Sequence, residues 1–113
     1  MLKISGQNIL LTRGDTAHLN FIPVNADGSE RVSVEGDNAY FRLKASSVIE
    51  KGCTVTLGSS VIQLELVPND TINLPYGTYP YEVELVTGDN EHYTFISGGY
   101  FTVDTEIEEH NNE

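Results

Sequence analysis

A chain of 113 residues with 39% hydrophobic side chains has room for one core of ordinary domain size, which excludes a two-lobed enzyme with a cleft between its halves. Seventeen acidic against six basic side chains give a formal charge of −11 at pH 7, which repels phosphate backbones and anionic lipid, so neither nucleic acid nor a membrane is an expected partner. The single cysteine, Cys53, excludes intramolecular disulfides and Cys-rich zinc modules, and it reads as a small, partly buried strand residue.

In chain order, residues 1–8 read as an N-terminal extension, without the apolar stretch of a signal peptide, and Ile9-Leu10-Leu11 as the opening of a sheet. Ala17, Leu19 and Phe21 then recur at every second position, the period of a strand with one buried face. Asn25-Ala26-Asp27-Gly28 has the chemistry of a tight reversal, because Asp-Gly tolerates positive φ. Ala39, Phe41 and Leu43 form the next face, and Cys53, Val55 and Leu57 another, followed by a weaker turn at Leu57-Gly58-Ser59-Ser60. Alternation is clearest in Val61–Val67, where Ile62, Leu64 and Leu66 share one side and Gln63 and Glu65 the other.

Pro68-Asn69-Asp70-Thr71-Ile72-Asn73-Leu74 breaks the period. Pro68 suits the first turn of a helix, Asp70 favours the positive end of its dipole, and Pro75 forbids continuation, so one short helical turn is predicted near residues 68–74. Tyr79, Tyr81, Val83 and Leu85 then alternate with Glu82 and Glu84, which are expected to face water. Gly88-Asp89-Asn90 turns the chain into a strand opened by His92, Gly98-Gly99 reads as a bulge or kink, and Phe101 with Val103 forms the last face. From Asp104 onward there are five acids, no Lys or Arg and one aliphatic residue, Ile107, which predicts an acidic flexible tail over residues 105–113.

Residues 9–104 therefore read as one domain. Short strands separated by turn signals predict a β-sandwich or barrel, and the corner Leu74-Pro75-Tyr76-Gly77-Thr78-Tyr79 places Tyr79 where immunoglobulin-type sandwiches carry a tyrosine that ties the corner through its hydroxyl. The expected class is all-β: an immunoglobulin-like antiparallel β-sandwich of about seven to nine strands with the one helical turn.

No catalytic constellation stands out. His18, His92 and His110 read as surface histidines, with none forced near Cys53 or a serine. Glu82 and Glu84 read as an outward strand face rather than an acid and base pair. Asp27, Gly28 and Glu30, and again Glu35, Gly36 and Asp37, offer oxygen ligands for calcium, but neither set has the spacing of a dedicated loop, and turn chemistry accounts for both. No enzyme activity, metal or cofactor is expected. A small carbohydrate-binding or host-surface-binding module is the rival reading; the chain lacks tryptophan, leaving Tyr40, Tyr76 and Tyr100 as the exposed aromatic candidates.

Three stretches together resemble a known group. Leu11-Thr12-Arg13-Gly14-Asp15-Thr16 is similar to the opening Leu-Thr-x-Gly-Asp-Thr of tailed-phage structural domains, notably the N-terminal domain of baseplate upper proteins in phages of Gram-positive bacteria. Val34-Glu35-Gly36-Asp37-Asn38-Ala39-Tyr40-Phe41-Arg42-Leu43-Lys44 resembles that group's Gly-Asp-x-Val-x-Phe-x-Val-Lys strand. The stretch from Leu64 to Tyr81 resembles its Leu-Thr-Pro-Glu-Asp-Thr-x-x-Leu-Pro-x-Gly-x-Tyr-x-Tyr signature and is the most specific of the three.

The resemblance covers residues 9–104 and implies structural roles for Gly14, Asp15, Gly36, Asp37, Pro68, Asp70, Leu74, Pro75, Gly77, Tyr79 and Tyr81. Gly14-Asp15 is expected to belong to a turn before the Ala17 strand, which Asp15 caps through backbone amides. Val67 stands where the group has a hydroxyl cap, which shifts that duty to Asn69 or Asp70. The implied function is that of a non-enzymatic phage or prophage structural protein of the tail or baseplate region, acting through protein contacts. Its partners would be other phage structural subunits or further copies of itself, first in the host bacterial cytoplasm during assembly and then in the virion.

Overall fold

The computed structural model describes residues 1–105, so the expectations for the acidic tail, Ile107 and His110 fall outside the described residues. The fold is all-β with one short helix. Its elements are β1 (Leu2–Ser5), β2 (Asn8–Thr12), β3 (Ala17–Phe21), β4 (Asn38–Lys44), β5 (Val48–Val55), β6 (Ile62–Leu66), α1 (Pro68–Thr71), β7 (Gly77–Val86) and β8 (His92–Asp104).

Hydrogen bonding links the strands in the order β1-β2-β8-β7-β4-β5-β6-β3. That sheet turns a corner within β5: residues 48–53 pair with β4, whereas Thr54 and Val55 pair with β6. The result is two layers, β1-β2-β8-β7-β4-β5 in front and β5-β6-β3 behind, with a strand switching sheets as in other sandwiches. Between strands, the chain crosses layers from β2 to β3, from β3 to β4 and again from β6 to β7, where α1 makes the bridge.

The alternating faces meet in the middle. Leu19 and Phe21 of β3, Phe41 and Leu43 of β4, Ile62, Leu64 and Leu66 of β6, Val83 and Leu85 of β7, and Phe101 and Val103 of β8 are all buried in one cluster. Phe41 is its aromatic centre, with its ring 5.5 Å from Tyr81 and 5.9 Å from Phe101. A strand period of two with one face in this cluster explains why β3 and β6 alternate strictly between buried and exposed.

Three features differ from expectation, and a fourth, the reversal at Asn25–Gly28, forms without full strands beside it. Residues 1–8 are not an extension: β1 pairs with β2 in antiparallel register from Leu2↔Leu11 to Ser5↔Asn8. The sandwich is not wholly antiparallel, because β2 runs parallel to β8 from Ile9↔Phe101 to Thr12↔Asp104. Leu57 leaves the face it was expected to share with Cys53 and Val55, since β5 ends at Val55 and Leu57 lies 71% exposed in the turn. At Asn25–Gly28 the reversal forms, with the Gly28 N–H donating to the Asn25 carbonyl at 2.9 Å, but only the isolated bridge Val24↔Glu30 flanks it.

The last strand is bulged where the two glycines fall. Tyr81 pairs with Gly99 and Val83 with Ile96, so Ser97 and Gly98 together oppose Glu82, and Gly98 takes φ +81°. Beyond the bulge, Phe101–Asp104 of β8 pair with β2.

Candidate functional site

The first and third family-like stretches converge at the corner between β6 and β7. Val67 has no side-chain acceptor to cap α1, and the Asp70 carboxylate accepts instead from the Val67 backbone N–H at 2.7 Å. Asp70 also receives the Lys51 ammonium at 2.6 Å. Behind the helix, the Gly14 N–H donates to Thr71 Oγ1 at 2.8 Å, and Thr71 is buried. Gly14 sits at φ +84° with the position of a Cβ 3.2 Å from Ile72 Cδ1, so glycine suits both the backbone and the close approach.

Arg13 extends the same junction. Its Nη1 donates to the Leu74 carbonyl at 3.4 Å, and its guanidinium lies 4.2 Å from the centre of the Tyr76 ring. Leu74 is buried, α1 has already ended at Thr71, short of the expected 68–74 and four residues before Pro75, and Gly77 starts β7. The Tyr79 hydroxyl donates to the Pro75 carbonyl at 2.6 Å, the corner bond of an immunoglobulin-type sandwich. Asp15 differs from its expected role: its backbone N–H closes the turn on the Thr12 carbonyl at 3.0 Å, while its carboxylate meets the amino group of Met1 rather than backbone amides.

The second stretch anchors a different turn. Asp37 has no exposed side-chain surface and accepts three hydrogen bonds, from Arg31 Nη1 at 2.7 Å, Arg31 Nη2 at 3.2 Å and the Val34 N–H at 2.9 Å. The Arg31 hydrogen bond holds its carboxyl below the usual range against the opposing effect of burial. Gly36 beside it has φ +91°, and a Cβ there would fall 2.8 Å from Gly88 Cα, so this turn packs backbone to backbone against the β7–β8 turn. The carboxylate considered for calcium is thus already engaged. Asp27 is likewise engaged, accepting from the Ser29 hydroxyl at 2.6 Å and its N–H at 3.0 Å.

On the outer face of the front sheet, Glu82 and Glu84 do not simply face water. Arg42 lies between them, donating to Glu84 at 2.8 Å and Glu82 at 3.3 Å, and to Glu50 across β5 at 2.8 Å. His92 Nδ1 is 3.1 Å from the second Glu84 oxygen, and Lys44 is 3.5 Å from Glu82. The Arg42 hydrogen bond, followed by the His92 hydrogen bond, lowers the Glu84 pKa despite desolvation. The strand period had indicated this outer face. The signal that period lacks is register, which sets Arg42 opposite Glu82 and Glu50.

Tyr40 is half-buried, with Arg42 5.7 Å from its ring centre, whereas Tyr76 and Tyr100 are exposed as expected; Tyr93, which sequence reasoning passed over, is equally exposed. Tyr81 is buried, its hydroxyl donates to the Gln7 carbonyl, and Gly99 leaves no room for a side chain, since a Cβ would lie 2.7 Å from Tyr81 Cε1. Burial pushes the Cys53 thiol up to about 11, a value suited to packing rather than nucleophilic attack. Among the described residues, no group of three or more His, Cys, Asp or Glu is placed to hold a metal ion.

No protein-family model, curated protein or solved structure matches this chain.

Proposed function

We propose that this domain is a non-enzymatic structural subunit of a phage or prophage tail region, acting through protein–protein contacts during assembly and in the virion. The observation that carries this reading is that the residues behind the family resemblance serve rigidity. Gly14 is bonded to Thr71, Arg13 to the Leu74 carbonyl, Tyr79 to the Pro75 carbonyl and Asp37 to Arg31, and each bond fixes a turn between strands. A scaffold subunit needs fixed turns and available edges rather than a reactive pair, and β1 and β3 end the strand order.

The test is capture of partners by a tagged copy expressed in a lysogen that produces the particle. Recovery of tail or baseplate proteins supports the reading, and recovery of none, with a monomer at every concentration in light scattering, overturns it.

One observation favours a host-surface glycan module as a second reading. A groove of about 460 Å³ at the loop end is lined by Tyr93, Phe95, Arg31, Glu91 and Asn25, an aromatic face beside polar groups able to meet sugar hydroxyls. Glycan-array binding abolished by Tyr93→Ala supports that reading, and a flat array removes it.

A further inference from the structure

Among the described residues the back layer has three strands and ends on β3, whose hydrogen-bonding neighbour there is β6 alone. A bare edge is normally blunted by a charge, a proline, a bulge or shortness. β1, at the other end of the order, is four residues long and carries Lys3. β3 has none of these devices. It runs five residues in unbroken register with β6, buries Ala17, Leu19 and Phe21, and presents only His18 and Asn20 outward.

Beside this edge, where the front and back layers part, lies a groove of about 190 Å³. Ile4 and Gln7 of the β1–β2 hairpin form one wall, and Leu19, Asn20, Phe21 and Ile22 form the other. Ile4 and Ile22 are 56% and 45% exposed, so apolar surface continues onto the rim. None of the residues lining the groove is charged, although the whole chain has 17 acidic and 6 basic side chains. A charged segment entering here would be desolvated without a counter-ion. A second copy would bring another formal −11 against the first.

We infer that β3 is an acceptor edge for strand addition, and that its occupant is an extended, uncharged segment of a partner subunit with aliphatic residues at alternate positions. Main-chain hydrogen bonds to β3 would supply affinity, and every second side chain would enter the groove between β3 and the β1–β2 hairpin. The inference rests on the proposed structural role only for the source of that strand.

The probe is an acetylated, amidated heptapeptide of alternating threonine and valine, titrated into the full ¹⁵N-labelled chain and followed by amide shifts and hydrogen exchange. The expected result is shifts over Ala17–Phe21, with exchange at the outward amides slowed at least about tenfold. Ile22→Lys, at an exposed rim position, should abolish the effect, while Val48→Lys, exposed on β5, should leave it intact. The inference is overturned by unchanged β3 amides up to about 1 mM peptide, by shifts confined to the Tyr93 groove, or by an undiminished effect in Ile22→Lys. It is also overturned if β3 is protected without peptide and the mass doubles, which would make a second copy the occupant. Uptake of peptide by a chain that captures no tail protein would keep the edge site and discard the virion assignment.

Discussion

Replacing Asp37 by alanine removes a carboxylate that has no exposed side-chain surface and takes three hydrogen bonds. What remains is an Arg31 guanidinium, 21% exposed, and a Val34 N–H, both without their acceptor. Breaking a fully buried ion pair from one side costs about 3–5 kcal/mol, and the partial exposure of Arg31 puts the expected loss at the lower end, about 3 kcal/mol. Asp37→Asn keeps an oxygen acceptor of the same shape and should lose less. The assay is urea denaturation of wild type and both variants across pH.

The pH arm carries a sign. The folded-state pKa of Asp37 is lowered, chiefly by the Arg31 hydrogen bond, so its contribution is fully present above the unfolded value of about 4 and is lost as pH falls through the folded value. The stability gap between wild type and Asp37→Ala should therefore narrow in acid. A loss under about 1 kcal/mol at neutral pH, or a gap that stays constant into acid, refutes the reasoning.

Tyr79→Phe should cost about 1 kcal/mol in chemical denaturation, since it removes only the hydroxyl that donates to the Pro75 carbonyl; no loss would show that this bond does not hold the corner. Gly36→Ala meets both a φ of +91° and a Gly88 Cα only 2.8 Å away, and should lower stability by at least about 2 kcal/mol. Gly28→Ala, at φ +89° with nothing within 4 Å, should cost about 1 kcal/mol, and equal losses at the two sites would count against the close approach. Cys53, with its thiol raised to about 11, should react with a disulfide reagent near pH 8 about a hundredfold more slowly in the native protein than in urea. Equal rates would place Cys53 in a more open site.

The alternating strands were legible because each buries one face: Ile62, Leu64 and Leu66, and Tyr81, Val83 and Leu85, are all within the core. The start of the helical turn was legible from Pro68, and the bulge from Gly98-Gly99, because those residues constrain the backbone locally, whereas the helix stops at Thr71, before Pro75 can act on it. β1 was not, because only Leu2 of its four residues is even partly buried and pairing with β2 leaves no period to read. The parallel pairing of Ile9 with Phe101 joins positions far apart in the chain and has no local signature. Arg31 and Arg42 were missed for a related reason. A loop contact six residues apart, and a cross-strand cluster of Arg42 with Glu50, Glu82 and Glu84, appear only once the turns and strands are in place.

The measurement that tests the central claim most directly is quantitative mass spectrometry of tailed particles purified from induced cells that carry this sequence. If the chain is a structural subunit of the tail region, it should co-purify with the tail proteins at a fixed ratio to them through successive density gradients. A chain that stays in the soluble lysate, with none retained on intact particles, would contradict the account.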